Sequence, residues 1–166
     1  MRYAGLNKND FANGEGVCVS VWLQGCPFHC EGCHNPETWD FNSGLEIDED
    51  TLVDTIADAI NLNNIKRNLS ILGGEPLCDS NLNFTHMLIA YIKNMKPQVK
   101  IYLWTGYEMS HLLNDEKYEY ILNHIDVIIT GPYIQSKRNI TLPLRGSSNQ
   151  EVWRRNQDGI LVLDKK

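Results

Sequence analysis

Three cysteines stand within eight residues in the stretch Gly25-Cys26-Pro27-Phe28-His29-Cys30-Glu31-Gly32-Cys33-His34-Asn35, spaced Cys-x3-Cys-x2-Cys. No other feature restricts the fold so sharply, because three thiolates on one short loop converge on a common metal or cluster. The loop directly follows Val17 to Leu23, an alternating apolar run that suits a strand. Iron–sulfur clusters are held by cysteine thiolates, normally four. A loop offering three leaves one iron without a protein ligand, and an open iron can bind a substrate or cofactor, as a catalytic metal keeps an open position. The competing assignment is a Cys3His zinc site on Cys26, Cys30, Cys33 and His34. Structural zinc usually draws its ligands from two segments, which counts against four from one tight loop. A disulfide fits less well, since the chain opens without a secretory signal and thiols stay reduced in the cytosol. Cys18, inside the strand pattern, and Cys78, after a turn, read as small packing residues.

The 166 residues suffice for one domain, 1–166, with a sizeable core. No apolar run is long enough to span a bilayer, so a cytoplasmic protein is expected, with no membrane partner. A net charge of −6 argues against nucleic-acid binding. The charge is uneven. Residues 1–136 carry 8 Lys+Arg against 18 Asp+Glu, whereas 137–166 carry 7 against 3. The basic segment 137–166 is either a solvated tail or a docking segment for an acidic partner, with Lys137, Arg138, Arg145, Arg154 and Arg155 as its candidate contacts.

Residues 1–16 are polar, and Asn13-Gly14-Glu15-Gly16 is a turn signal that leads into the first strand. After the cysteine loop, Asp48-Glu49-Asp50 opens a helix whose apolar face is Leu52, Val53, Ile56 and Ile60. Leu69 to Leu72 is a second strand. A second helix has Phe84, Leu88, Ile92 and Met95 on one face and stops before Pro97. Ile101 to Trp104 and Asp126 to Ile129 are further strands, with helical turns between them on Tyr118, Ile121, Leu122 and Ile125. The stretch 134–159 reads as mostly loop, and Ile160 to Leu163 as a last strand. Such alternation predicts an α/β fold with a mostly parallel sheet. Four or five βα units are too few for a closed eight-fold barrel, so a compact, open partial (βα) barrel is expected.

The cysteine loop, Gly73-Gly74-Glu75-Pro76, Thr105-Gly106-Tyr107 and Thr130-Gly131-Pro132-Tyr133 each follow a predicted strand end. Ligands in α/β sheets bind beyond the carboxyl ends of the strands, so four distinctive loops converge on one face. That convergence favours a catalytic site over an isolated zinc staple.

Gly73-Gly74-Glu75-Pro76 lacks the lysine and spacing of a phosphate loop, and by itself is a strand-to-helix turn. Paired with the cysteine loop upstream, it resembles the radical S-adenosylmethionine enzymes. In that family three cysteines hold a 4Fe-4S cluster, and the fourth iron is chelated by S-adenosylmethionine. The Gly-Gly-Glu-Pro motif receives the methionine amino group. An electron from the cluster cleaves the sulfonium to a 5′-deoxyadenosyl radical. The resemblance implies cluster ligation by Cys26, Cys30 and Cys33, and S-adenosylmethionine contacts at Gly32, Cys33, His34, Gly73, Gly74, Glu75 and Pro76. It implies no general base, and it leaves Glu75 to orient the turn or the ammonium.

Cys33-His34-Asn35 with Thr38-Trp39, Trp104-Thr105-Gly106-Tyr107 and Arg145-Gly146-Ser147-Ser148-Asn149-Gln150 narrow the likeness. From about Asp10 to Gln150 the chain is similar to the activating proteins of anaerobic ribonucleoside-triphosphate reductase. The resemblance implies an oxidoreductase that places a glycyl radical on the glycine loop of the reductase large subunit, supplied by an electron donor such as reduced flavodoxin. Action on another glycyl radical enzyme or a small molecule, and a zinc-binding module without catalysis, are the alternatives. Two positions depart from pattern. Gly32 stands where many of the superfamily have an aromatic residue, and Thr130-Gly131 where these activases commonly have Asp-Gly. Sequence physics assigns no role to the Arg145–Gln150 run.

Overall fold

The computed structural model describes residues 1–165. Eight strands form one open sheet: β1 (Arg2–Asp10), β2 (Val17–Leu23), β3 (Leu45–Glu46), β4 (Arg67–Gly73), β5 (Ile101–Trp104), β6 (Val127–Thr130), β7 (Glu151–Arg155) and β8 (Leu161–Leu163). Their order is β3-β1-β2-β4-β5-β6-β7-β8. The central four, β2, β4, β5 and β6, run parallel, and both flanks are antiparallel. The parallel centre is as expected. The antiparallel flanks qualify the expectation of a mostly parallel sheet.

Between the parallel strands run α1 (Glu49–Asn61), α2 (Asp79–Met95), and the pair α3 (Met109–Leu113) and α4 (Glu119–His124). Helix α1 starts where Asp48 accepts the Thr51 N–H at 3.0 Å, with Glu49 and Asp50 favouring the positive end of the helix dipole. It buries Leu52, Val53, Ile56, Ala59 and Ile60. Helix α2 begins several residues before its first large apolar residue. Its opening turns bury Asn81 and Thr85, which donate to the carbonyls of Gln24, Glu75 and Pro76, so no apolar periodicity marks them.

Strand alternation sorts side chains between two cores. Val19, Val21, Leu23, Leu69, Ile71, Ile101, Leu103 and Ile128 face the helices in the larger one. Tyr102, Val127, Ile129 and Val152 form a smaller cluster with Trp104 and Leu144. Cys18 is fully buried on β2, and Cys78 is buried at the head of α2 with its sulfur 3.2 Å from Ser80 Oγ, as packing residues should be.

Two strands lie where loop was expected. β1 pairs with β2 across two register breaks, and of its nine residues only Asp10 is fully buried. β7 has Val152 as its one fully buried residue. Neither carries the alternation that marks a strand in sequence.

Candidate active site

The parallel strands end level with one another. Leu23 is in register with Gly73, and the ladder runs on into the loops, Gly74 N–H donating to Leu23 O at 2.8 Å and Glu75 N–H to Gly25 O at 2.8 Å. A side chain at Gly74 would meet Gly25 O at 2.1 Å. At Gly73 the left-handed φ of +111° and a Cβ position 2.3 Å from Leu23 N both demand glycine. The bare backbone of Gly73-Gly74 is therefore what lets the second motif lie flat against the root of the cysteine loop.

That loop is pinned at its neck. Gly25 N–H donates to Thr38 O at 2.8 Å and Cys26 N–H to Trp39 O at 3.1 Å. The buried Gln24 amide donates to the carbonyls of Glu37 and Asp40. His29 (φ 48°) and Gly32 (φ 72°) take left-handed turns that fold the loop over. Gly32 thus answers a backbone need, and a Cβ there would also strike the Gln135 amide oxygen at 2.1 Å. Phe28 seats the loop on the β5 end, its ring over Gly106 and 4.9 Å from the Tyr107 ring, edge to face.

Cys26, Cys30 and Cys33 line one cavity of about 130 Å³, walled by Gly73, Gly74 and Trp104. Cys26 is 9% exposed, and burial pushes its thiol up to about 11. Burial also raises the half-buried Cys30. Such thiols stay protonated until a cation offsets the charge. Beside this cavity a larger opening of about 540 Å³ is bounded by Cys33, His34, Gly73, Trp104, Arg145 and Gln150. Of the expected contact residues, Cys33, His34, Gly73, Gly74 and Glu75 border one or other space, while Gly32 and Pro76 border neither.

Glu75 is 1% exposed, and its carboxylate is spent on the protein. One oxygen accepts from Leu77 N–H at 2.9 Å and Thr105 Oγ1 at 2.8 Å, and the other from Gly106 N–H at 2.7 Å. Burial pushes its pKa up to about 7 against these three donors. Glu75 orients the turn and ties the β4 loop to the β5 loop.

The Arg145–Gln150 run acquires a role that its sequence did not suggest. Gln150 Oε1 accepts from the N–H groups of Gly146 (3.0 Å) and Ser147 (3.2 Å), and Gln150 Nε2 donates to Gly131 O. Asn149 donates to Pro132 O, and Ser147 Oγ accepts from Ile134 N–H. The run clamps the β6-end loop, whose Tyr133 ring lies 5.4 Å from His34. Thr130 is buried, and Gly131 N–H donates to Tyr107 O at 2.8 Å, so this strand end is held without an aspartate. Local side-chain-to-backbone bonding of this kind leaves no periodic signal.

A cluster and a lone ion ask different geometry of three thiols. Among the described residues no group of three His, Cys, Asp or Glu is placed to hold a metal ion. A cubane takes its three cysteines on three separate irons, whereas zinc gathers its ligands onto one. Trp39, on the wall of the thiol-lined cavity, has a buried indole N–H with no hydrogen-bond partner among the described residues.

Two arginines of the basic segment bond within the fold. Arg154 pairs with Glu15 and Asp164, each at 2.7 Å. Arg155 donates to the carbonyls of Ile125, Leu122 and Gly159. Both arginines are half-buried and carry contacts within the fold. Lys137 and Arg138 remain exposed.

Comparison with known proteins places these features in context. Residues 12–153 match the family model described as a 4Fe-4S single cluster domain. The chain is 33% identical over 157 residues to a protein of Pasteurella multocida, covering 95% of this chain and 99% of the relative. It is 35% identical over 164 residues to one of Enterobacteria phage T4, covering 99% and 100%. With one of Escherichia coli (strain K12) it shares 33% identity over 153 residues, covering 92% and 97%. All three relatives are named anaerobic ribonucleoside-triphosphate reductase-activating protein.

Proposed function

Because the chain belongs to the 4Fe-4S single-cluster family and, within it, to the anaerobic ribonucleoside-triphosphate reductase-activating proteins, we propose that it installs a glycyl radical on the large subunit of such a reductase. The observation that carries this proposal is the gathering of Cys26, Cys30 and Cys33 on one cavity at the level ends of the parallel strands, against the bare backbone of Gly73-Gly74. When bound, a 4Fe-4S cluster on these cysteines and S-adenosylmethionine supply the reductive cleavage that gives methionine and 5′-deoxyadenosine and leaves the glycine one hydrogen short.

The chain itself binds, orients and excludes water. Gly73 and Gly74 would present backbone to the amino group of S-adenosylmethionine, while the Glu75 carboxylate holds Leu77, Thr105 and Gly106. Trp104, whose indole N–H donates to Leu144 O at 2.8 Å, borders both spaces. His34 and Tyr133 border the larger opening, where the partner's glycine loop enters. The open sheet is taken as the partial barrel of the superfamily, wide enough to admit another protein's backbone. We assign the reaction to the cytoplasm, with a one-electron donor such as reduced flavodoxin. No helix among the described residues is long and apolar enough to cross a membrane.

The test is anaerobic reconstitution with iron and sulfide, reduction, and addition of S-adenosylmethionine. 5′-Deoxyadenosine is expected from the wild type and from Cys78→Ala, and neither cluster nor product from Cys30→Ala. Equal loss in both variants overturns the ligand set. A chain that takes up zinc without sulfide and yields no product overturns the enzyme. A glycyl doublet by electron paramagnetic resonance on the reductase, absent when its acceptor glycine is replaced, separates this partner from other substrates.

A further inference from the structure

Trp39 follows the cysteine loop at its neck, where its carbonyl accepts the Cys26 N–H at 3.1 Å. Its ring packs edge to face on His29, which lies between Cys26 and Cys30, with centroids 5.0 Å apart. It borders the same cavity as the three thiols. An indole N–H is a donor only, and a buried donor is nearly always paired. This one is buried without a partner. Within the lining of that cavity, the Glu75 carboxylate holds three donors and Thr38 O holds Gly25 N–H. The same cavity is lined by the sulfur-bearing Cys26, Cys30 and Cys33.

We propose that the Trp39 indole N–H donates a hydrogen bond to a sulfur of the cluster held on Cys26, Cys30 and Cys33, and that this bond makes the cluster easier to reduce. The inference rests on the three-cysteine cluster proposed above. Adding one electron to the cluster increases the negative charge on its sulfurs, and a donor directed at them stabilises the reduced form more than the oxidised one. Groups around a metal centre tune it in this way without being ligands. The reductant is the one-electron donor that the activation already requires, so no further reactant enters.

The deciding variant replaces Trp39 with β-(3-benzothienyl)alanine, which keeps the bicyclic shape and puts sulfur in place of the N–H. Trp39→Phe is its conventional companion. Wild type and variants are reconstituted and titrated potentiometrically under electron paramagnetic resonance. At the potential where the wild-type cluster is half reduced, the isostere is expected to show a reduced-to-oxidised ratio about tenfold lower. For a one-electron couple that is a midpoint lower by about 59 mV. Pulsed resonance in D2O should also lose one exchangeable-proton coupling to the cluster. A merely structural tryptophan moves neither quantity when its shape is kept, so an unchanged midpoint with an unchanged coupling overturns the proposal. A cluster that survives Cys30→Ala refutes the ligand set instead, a separate outcome from any result at Trp39.

Discussion

At the scale of single residues, Glu75 joins the loops at two strand ends. Held by Leu77, Thr105 and Gly106, it is a brace between two strand ends. Its carboxyl is raised by burial from 4.5 to about 7. A folded pKa above the unfolded one gives stability that is complete below about pH 4.5 and lost as the pH rises through about 7. The loss amounts to about 3 kcal/mol. Glu75→Gln removes the titration and also leaves a backbone donor facing an amide N–H. Urea unfolding of the two apo proteins should therefore show the wild type losing its margin over the variant between pH 4.5 and pH 7.5, and a constant margin contradicts the assignment. The gathering of Cys26, Cys30 and Cys33 on one cavity was legible because their spacing is a covalent constraint on reach. Glu75 and Gly32 were only half legible. Glycine in the cysteine loop answers a left-handed φ, and no local pattern distinguishes a carboxylate turned to the backbone from one turned to a ligand.

Among elements, the parallel strands and α1 were plain in the sequence, since each buries an apolar face with a regular period. β1, β7 and the start of α2 were not, because pairing and polar capping hold them in place of apolar contact. Arg155 illustrates the point. It looked like surface charge, yet it holds the carbonyls of Leu122 and Ile125 at the end of α4 and of Gly159 in the turn before β8. Arg155→Ala should cost about 2 kcal/mol in denaturant unfolding, the range for charged hydrogen bonds. Substituting the exposed Lys137 and Arg138 by Gln should leave stability within about 0.5 kcal/mol. Equal effects of the two changes would show that Arg155 has no structural share.

Over the whole molecule, both cores are built without the cysteine loop contributing to either. The fold is accordingly expected to stand without any metal. A variant with Cys26, Cys30 and Cys33 all changed to Ala should keep its far-ultraviolet circular dichroism and unfold cooperatively, with Tm lowered by no more than roughly 2–4 °C. Collapse of the helical signal would mean that the cluster is part of the scaffold. A fold that keeps itself together in this way can afford to leave its thiol face uncovered, with Cys30 and Cys33 only half buried and Cys33 beside an opening of about 540 Å³. An opening of that size also admits dioxygen, and cysteine sulfur within its reach climbs the oxidation ladder. The protein's working life is then set by the atmosphere around it rather than by its own stability: air should bleach the reconstituted cluster while the chain beneath stays folded.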